Sequence, residues 1–409
     1  MPLAFASTEL SPGEFRNRRA EARRSGTPAW LWPEVPVESW HSAMAHISDA
    51  ASAVLAGERA VLPACEPMAL SLACYTSGAG PLLGYWREQG QVDAPEEASA
   101  LLALHLEHAR SRAKRVEAQS RQVVAALDDC GVPVVVLKGG HTAYSYFPDP
   151  ATRPAADLDL LVPADSSAQA EVALAKIGFE CAGRSRRESS WVARDEPGEP
   201  RSMWLAHAED RWSIDLHRSL DFSAGAGAPL VRLDAADPIE TSQPWPLDDA
   251  AGVLSQPLLL VHLAVHASGG LHSLTLLRMV EIVLVVRHDV ESGSLSWDDF
   301  LHAGAAANAL GAVYPALSMA EKLAPGTIPP RVREIIAEVA PRRARAMVDK
   351  LEPASAHRVD RASIAEHFMW VDGLSGWARQ IASDLAPGSG FWPIYQARAY
   401  RLLRGRVSR

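Results

Sequence analysis

Residues 134–162, VVVLKGGHTAYSYFPDPATRPAADLDLLV, restrict the fold more than any other stretch of the chain. Val134, Val135, Val136 and Leu137 are β-branched or apolar and run into Lys138, the pattern of a short buried strand. Gly139 and Gly140 interrupt it. Tyr144, Tyr146 and Phe147 then predict one or two helical turns, closed by the turn-forming Pro148-Asp149-Pro150. A second strand follows and carries Asp157 and Asp159.

On a strand, residues i and i+2 project from one face, so both carboxylates point the same way while Leu158 and Leu160 point toward a core. Two acids held roughly 7 Å apart at their Cα atoms repel each other unless cations sit between them. That arrangement suits one or two Mg²⁺ ions, which favour carboxylate oxygens and also bind substrate phosphates. Gly139-Gly140 at a helix start would let backbone N–H groups approach phosphates with no Cβ in the way. A third acid lies in Trp212-Ser213-Ile214-Asp215-Leu216-His217, where Ile214 and Leu216 form the buried face and Asp215 and His217 the opposite one.

The order strand, Gly-Gly, short helix, Asp-x-Asp strand, then a lone Asp on a later strand resembles the nucleotidyltransferase superfamily typified by DNA polymerase beta. More narrowly, LKGGHTAYSYFPDPATRPAADLDLLV is similar to little-characterised bacterial nucleotidyltransferases with a Leu-Lys-Gly, Arg-Pro, Asp-x-Asp-Leu-Leu-Val pattern. Ile214-Asp215-Leu216-His217 matches their third-acid strand. The narrow resemblance covers residues 131–220 well and the helical region after them more loosely. It implies an α+β fold with a small mixed β-sheet between helical N- and C-terminal regions. It also implies a nucleoside triphosphate such as ATP as substrate and Mg²⁺ or Mn²⁺ as cofactor, held by Asp157, Asp159 and Asp215. Asp215 would complete a two-metal site and help deprotonate the attacking hydroxyl. Lys138, Gly139, Gly140 and Arg153 are the expected nucleotide-binding residues; for Lys138 the other reading is a salt-bridged lysine, and for Arg153 a brace for the carboxylates. His217 is placed to hydrogen-bond substrate or a carboxylate. One departure is that sixteen residues, 141–156, separate Gly140 from Asp157, more than the broad superfamily places there, which reads as an extended loop.

At 409 residues the chain has room for two or three domains. The expected division is a loose N-terminal arm at 1–36, a helical region at 37–130, the nucleotidyltransferase core at 131–238 and a helical C-terminal domain at 249–409. A polar, Pro-rich linker is expected at 237–248. Within the helical parts, Ser39 would cap a helix through residue 53, and Pro95, Glu96 and Glu97 would open a long helix to residue 129. Val116, Val123, Val124 and Leu127 form its apolar stripe. Short strands are expected at 179–182, 191–194, 203–207 and 212–217. Arg184-Ser185-Arg186-Arg187 reads as an exposed bend. The arginine runs at 16–24 and 395–409 read as solvated faces in preference to nucleic-acid contacts. His262 and His266 lie at i and i+4 on one face of an apolar helix; with no third ligand at metal spacing, they read as a core or cleft-facing pair.

A net charge of −9 argues against binding nucleic acid through bulk charge, so the expected acceptor is a small molecule, a peptide or a protein. Cys65, Cys74, Cys130 and Cys181 show no regular framework and read as free thiols. The first residues lack the basic-then-apolar order of a signal peptide, and the apolar runs are too short to span a bilayer, so no membrane association and a cytoplasmic location are expected. Two rival readings remain at this stage: a catalytically inactive module that binds nucleotide or a partner, and a nucleotide-sugar glycosyltransferase using the same Asp-x-Asp motif. Replacing Asp157 or Asp159 with Asn is expected to abolish turnover and spare the fold.

Overall fold

The computed structural model describes residues 35–355 except 186, 196–201, 203, 223–229, 270, 272 and 273, together with residues 17, 369 and 370. The arginine runs at 16–24 and 395–409 lie outside the described residues apart from residue 17, as does the expected N-terminal arm up to residue 34.

The chain begins with helix α1 (Val37–Leu55), then strand β1 (Ala60–Val61), helices α2 (Pro67–Ser77) and α3 (Gly80–Glu88), strand β2 (Val92–Asp93) and the long helix α4 (Glu96–Asp128). Helix α1 starts earlier than Ser39 predicts. Pro36 takes the cap position with its φ already at −57°, and Ser39 falls inside the first turn. Helix α4 starts where its acids suggest, with Glu96 and Glu97 in the first turn. At 33 residues it is about 50 Å long, enough to join two cores. Its first half, with Leu101 and Leu102, packs into the helical core, and Val123, Val124 and Leu127 pack under the sheet. Gly84 lets α3 cross α4 closely, because a Cβ there would lie 2.4 Å from the Leu102 carbonyl oxygen.

The sheet region contains β3 (Val135–Val136), α5 (Lys138–Ser145), β4 (Asp157–Leu161), α6 (Ser167–Lys176), β5 (Phe179–Arg184), β6 (Glu188–Ala193), β7 (Ser213–His217), β8 (Gln243–Trp245) and β9 (Asp248–Val253). The seven strands form one mixed sheet in the order β5-β6-β7-β4-β3-β9-β8. Strand β4 pairs parallel with β7 and antiparallel with β3, and β9 runs parallel to β3. The α+β class is as expected, but two local expectations fail. Residues 204–207 form no strand, and residues 237–248 are not simply a linker, since β8 and the start of β9 extend the sheet past residue 238. Of the bend expected at 184–187, residue 186 lies outside the described residues; Arg184 pairs with Glu171 at 2.7 Å and Arg187 donates to the Asp221 carbonyl.

After the sheet the chain is helical: α7 (Leu258–Gly269), α8 (Leu276–Glu291), α9 (Trp297–Ala306), α10 (Leu310–Leu323), α11 (Pro330–Val339) and α12 (Arg342–Val348). Ser296 caps α9 through the Asp299 N–H, as its sequence position predicts. Helix α7 is apolar nearly all round and correspondingly buried. Strand alternation divides the sheet. Leu158, Leu160, Ile214 and Leu216 face α4 and α6, and the helices after β9 pack into the core that includes Val135, Leu137 and Leu161. Among the described residues no helix is long and apolar enough to cross a membrane, and all four cysteines are free thiols.

Candidate active site

The parallel pairing of β4 with β7 sets Asp159 directly opposite Asp215, with Asp157 opposite Ser213. Carboxylate oxygens of Asp157, Asp159 and Asp215 all lie within 4.8 Å of one another. Two of these acids are on one strand and the third is more than fifty residues away in sequence, so the neighbouring strand register is what unites them.

Their environments differ. Asp159 is buried, and its Oδ1 accepts hydrogen bonds from Lys138 Nζ at 2.6 Å and His217 Nε2 at 2.8 Å. Burial alone would raise its pKa; the Lys138 ammonium and the His217 hydrogen bond outweigh that and hold the carboxyl well below the usual carboxylate range. Asp215 is half-buried and accepts from Ser190 Oγ at 2.6 Å. Burial, reinforced by the negative charges of Asp157 and Asp159, raises its pKa despite that hydrogen bond. A three-carboxylate, all-oxygen donor set whose members destabilise one another's charge fits a hard divalent cation.

Lys138 is both the end of the first strand motif and the first residue of α5. Its φ of +46° lies in the left-handed region, which costs a non-glycine residue roughly 1 kcal/mol or more and is tolerated where placement of a side chain matters. Of the two glycines that follow, Gly140 is held in close packing and Gly139 lies against the Arg153 side chain. A Cβ on Gly140 would sit 2.8 Å from Val136 Cγ1, and one on Gly139 would sit 3.2 Å from the Arg153 guanidinium. Arg153 is buried and forms a two-pronged ion pair with Glu281, Nε to Oε1 at 3.0 Å and Nη2 to Oε2 at 3.1 Å. Glu281 also accepts a hydrogen bond from Thr142 Oγ1, so this one residue of α8 clamps both Arg153 and α5. Further along α8, Asp289 accepts from Tyr146 at 2.9 Å.

A family model described as an uncharacterised nucleotidyltransferase matches residues 74–325. The chain belongs to that family. It is therefore a transferase of phosphorus-containing groups, and the matched span includes every strand of the large sheet together with α7 and α8. No curated protein and no solved structure matches the chain.

Within this nucleotidyltransferase the aspartate trio is the only three-ligand cluster of metal-binding type among the described residues. His262 and His266 stack with ring centroids 6.2 Å apart and belong to no such cluster. Sequence reasoning missed Ser190 and the role of Glu281. A signal for the latter was present: Glu281 is a single acid inside the apolar run Met279–Val280 and Ile282–Val286, where a buried carboxylate demands a cationic partner.

Burial also holds several imidazoles neutral. It pushes His105 down to about 3, His141 to about 4 and His262 to about 3, and it lowers His266 as well. A histidine whose folded pKa lies below its unfolded value of about 6.5 takes up its proton only on unfolding, so stability is full above 6.5 and falls with acidification. Each such group costs about 1.4 kcal/mol per pH unit within that window. The thermal unfolding midpoint is expected to drop markedly between pH 6.5 and 5; a level midpoint over that range would contradict the assignment.

Proposed function

We propose that the protein is a Mg²⁺-dependent nucleotidyltransferase that moves a nucleoside monophosphate from a nucleoside triphosphate to a small-molecule, peptide or protein acceptor. The observation that carries this reading is the convergence of Asp157, Asp159 and Asp215 beside the start of α5. The three carboxylates would hold the metal, which when bound supplies positive charge to the phosphate oxygens and acidifies the attacking hydroxyl. Lys138, at the first position of α5, adds fixed positive charge next to Asp159. Gly139 and Gly140 bring the start of that helix down onto the sheet, so that its N–H groups face the triphosphate. Asp215, with its raised pKa, is suited to take the proton of the acceptor hydroxyl. Arg153 acts one step back, setting the height of α5 through its contact with Gly139. The acidic net charge of −9 favours acceptors other than nucleic acid. The family assignment favours nucleotidyl transfer over sugar transfer from the same Asp-x-Asp motif.

The direct test incubates the purified protein with each α-labelled triphosphate and Mg²⁺ or Mn²⁺, with and without cell extract. Pyrophosphate release coupled to label transfer is expected with at least one triphosphate. Silence with all four under both conditions would point to a binding module without activity.

A further inference from the structure

The two strands on one side of β4 carry a row of polar side chains behind the aspartates. Strand β6 pairs antiparallel with β7, which sets Glu188 opposite His217 and Ser190 opposite Asp215. Residues two apart on a strand share a face, so all four side chains stand on the side of the sheet where the aspartates meet. Three contacts run inward along this row. Ser190 Oγ donates to Asp215 Oδ1 at 2.6 Å, His217 Nε2 donates to Asp159 Oδ1 at 2.8 Å, and Glu188 Oε2 lies 3.4 Å from His217 Nδ1.

The consequence is sharpest at Asp159. A carboxylate oxygen carries two lone pairs. On Oδ1 both are taken, one by His217 and one by Lys138 Nζ at 2.6 Å. Oδ2 is then the oxygen that Asp159 can offer a cation. The two donors arrive from opposite sides of β4, His217 from β7 and Lys138 from the end of β3. The carboxylate plane therefore cannot turn without breaking one of two charge-assisted hydrogen bonds.

His217 is itself held. Its side chain is 12% exposed, and its remaining freedom is rotation of the ring about the Cβ–Cγ bond. Glu188 beside Nδ1 favours the orientation in which Nε2 meets Asp159. Glu188 is 44% exposed, so it can be replaced without opening the core. We infer that His217, turned by Glu188, is a positioning residue that holds Asp159 so that its carboxylate meets the cation through Oδ2 alone. This rests on the metal-dependent reading above. His217 acts on the cation only through Asp159.

The test is Mn²⁺ binding to the full chain without nucleotide, followed by electron paramagnetic resonance, for the wild type and its His217→Leu, His217→Gln and Glu188→Ala variants. His217→Leu is expected to weaken Mn²⁺ binding by roughly 10- to 100-fold, the usual cost of losing a side chain that orients a metal ligand. His217→Gln keeps an N–H near the position of Nε2 and should recover most of that loss. Glu188→Ala should weaken binding by roughly 2- to 5-fold, the scale of a half-exposed ion pair. Wild-type affinity in His217→Leu, or an equal loss in His217→Gln, overturns the assignment and leaves the nucleotidyl-transfer reading standing. Wild-type affinity in Glu188→Ala overturns the part given to Glu188. A wild-type chain that binds no Mn²⁺ overturns both the assignment and the metal-dependent reading. Should His217→Leu not fold, the wild type decides. Strong nitrogen modulation of the bound Mn²⁺ signal would make His217 a ligand in its own right and overturn the proposal, and the expected spectrum lacks it.

Discussion

Asp157→Asn is expected to lower nucleotidyl transfer by roughly 10³-fold, the scale on which one preorganised charge acts in an active site, with the unfolding free energy close to wild type. Asp157 is half-buried, and its negative charge helps to raise the pKa of Asp215, so removing it relieves repulsion within the trio. Asp159→Asn should be equally inactive but will not be equally benign. Asp159 is 5% exposed and neutralises Lys138, itself 9% exposed. Taking the carboxylate away leaves an ammonium buried beside a neutral amide, a change that costs about 3–5 kcal/mol when one partner of a buried pair is lost. Strand repulsion alone leads to the expectation that either substitution spares the fold; the buried Lys138 pair leads to a different expectation for Asp159. Pyrophosphate release and urea denaturation on the two variants check both halves. Full turnover in Asp157→Asn would remove that residue from the chemistry, and wild-type stability in Asp159→Asn would show that the Lys138 pair contributes little.

What could be read from the residues follows the range of the interactions involved. The alternation Asp157-Leu158-Asp159-Leu160 announces a strand with an acidic and an apolar face, because both faces are written in adjacent positions. The same is true of Ser213–His217. That Asp159 and Asp215 stand opposite each other depends on a parallel pairing across more than fifty residues, which no local pattern encodes; the resemblance supplied only that the three acids share one site. Strand β9, DDAAGV, lacks β-branched alternation, and all but its first residue falls in the expected helical C-terminal domain. It becomes a strand because β3 offers an edge to pair with in parallel. Gly139-Gly140 was legible as a break, but not the packing of Gly140 on Val136 and Leu158 or of Gly139 on the Arg153 guanidinium. Arg153 itself was legible as charged and near the acids. Its partner lay on a helix 128 residues later, so the choice between phosphate contact and brace was beyond the sequence.

That partner gives the second large effect. Glu281→Leu is expected to destabilise the protein by about 3–5 kcal/mol, since it strands the buried Arg153 guanidinium and removes one of the two acceptors near Thr142 Oγ1. Transfer activity should fall as well, by roughly 10- to 100-fold, the usual cost of losing a residue that orients the groups in contact with ligand. The informative variant is the double replacement Arg153→Met with Glu281→Leu. An apolar pair of similar size restores much of the stability lost when a single charge is left buried. It does not restore the flat guanidinium that lies against Gly139, 3.2 Å from where a Cβ would be. If that plane sets the height of α5 above the aspartates, the double variant will unfold near wild-type urea concentrations and still transfer nucleotide poorly. Recovery of both properties together would reduce the Arg153–Glu281 pair to a packing element that any well-fitting side chains could replace.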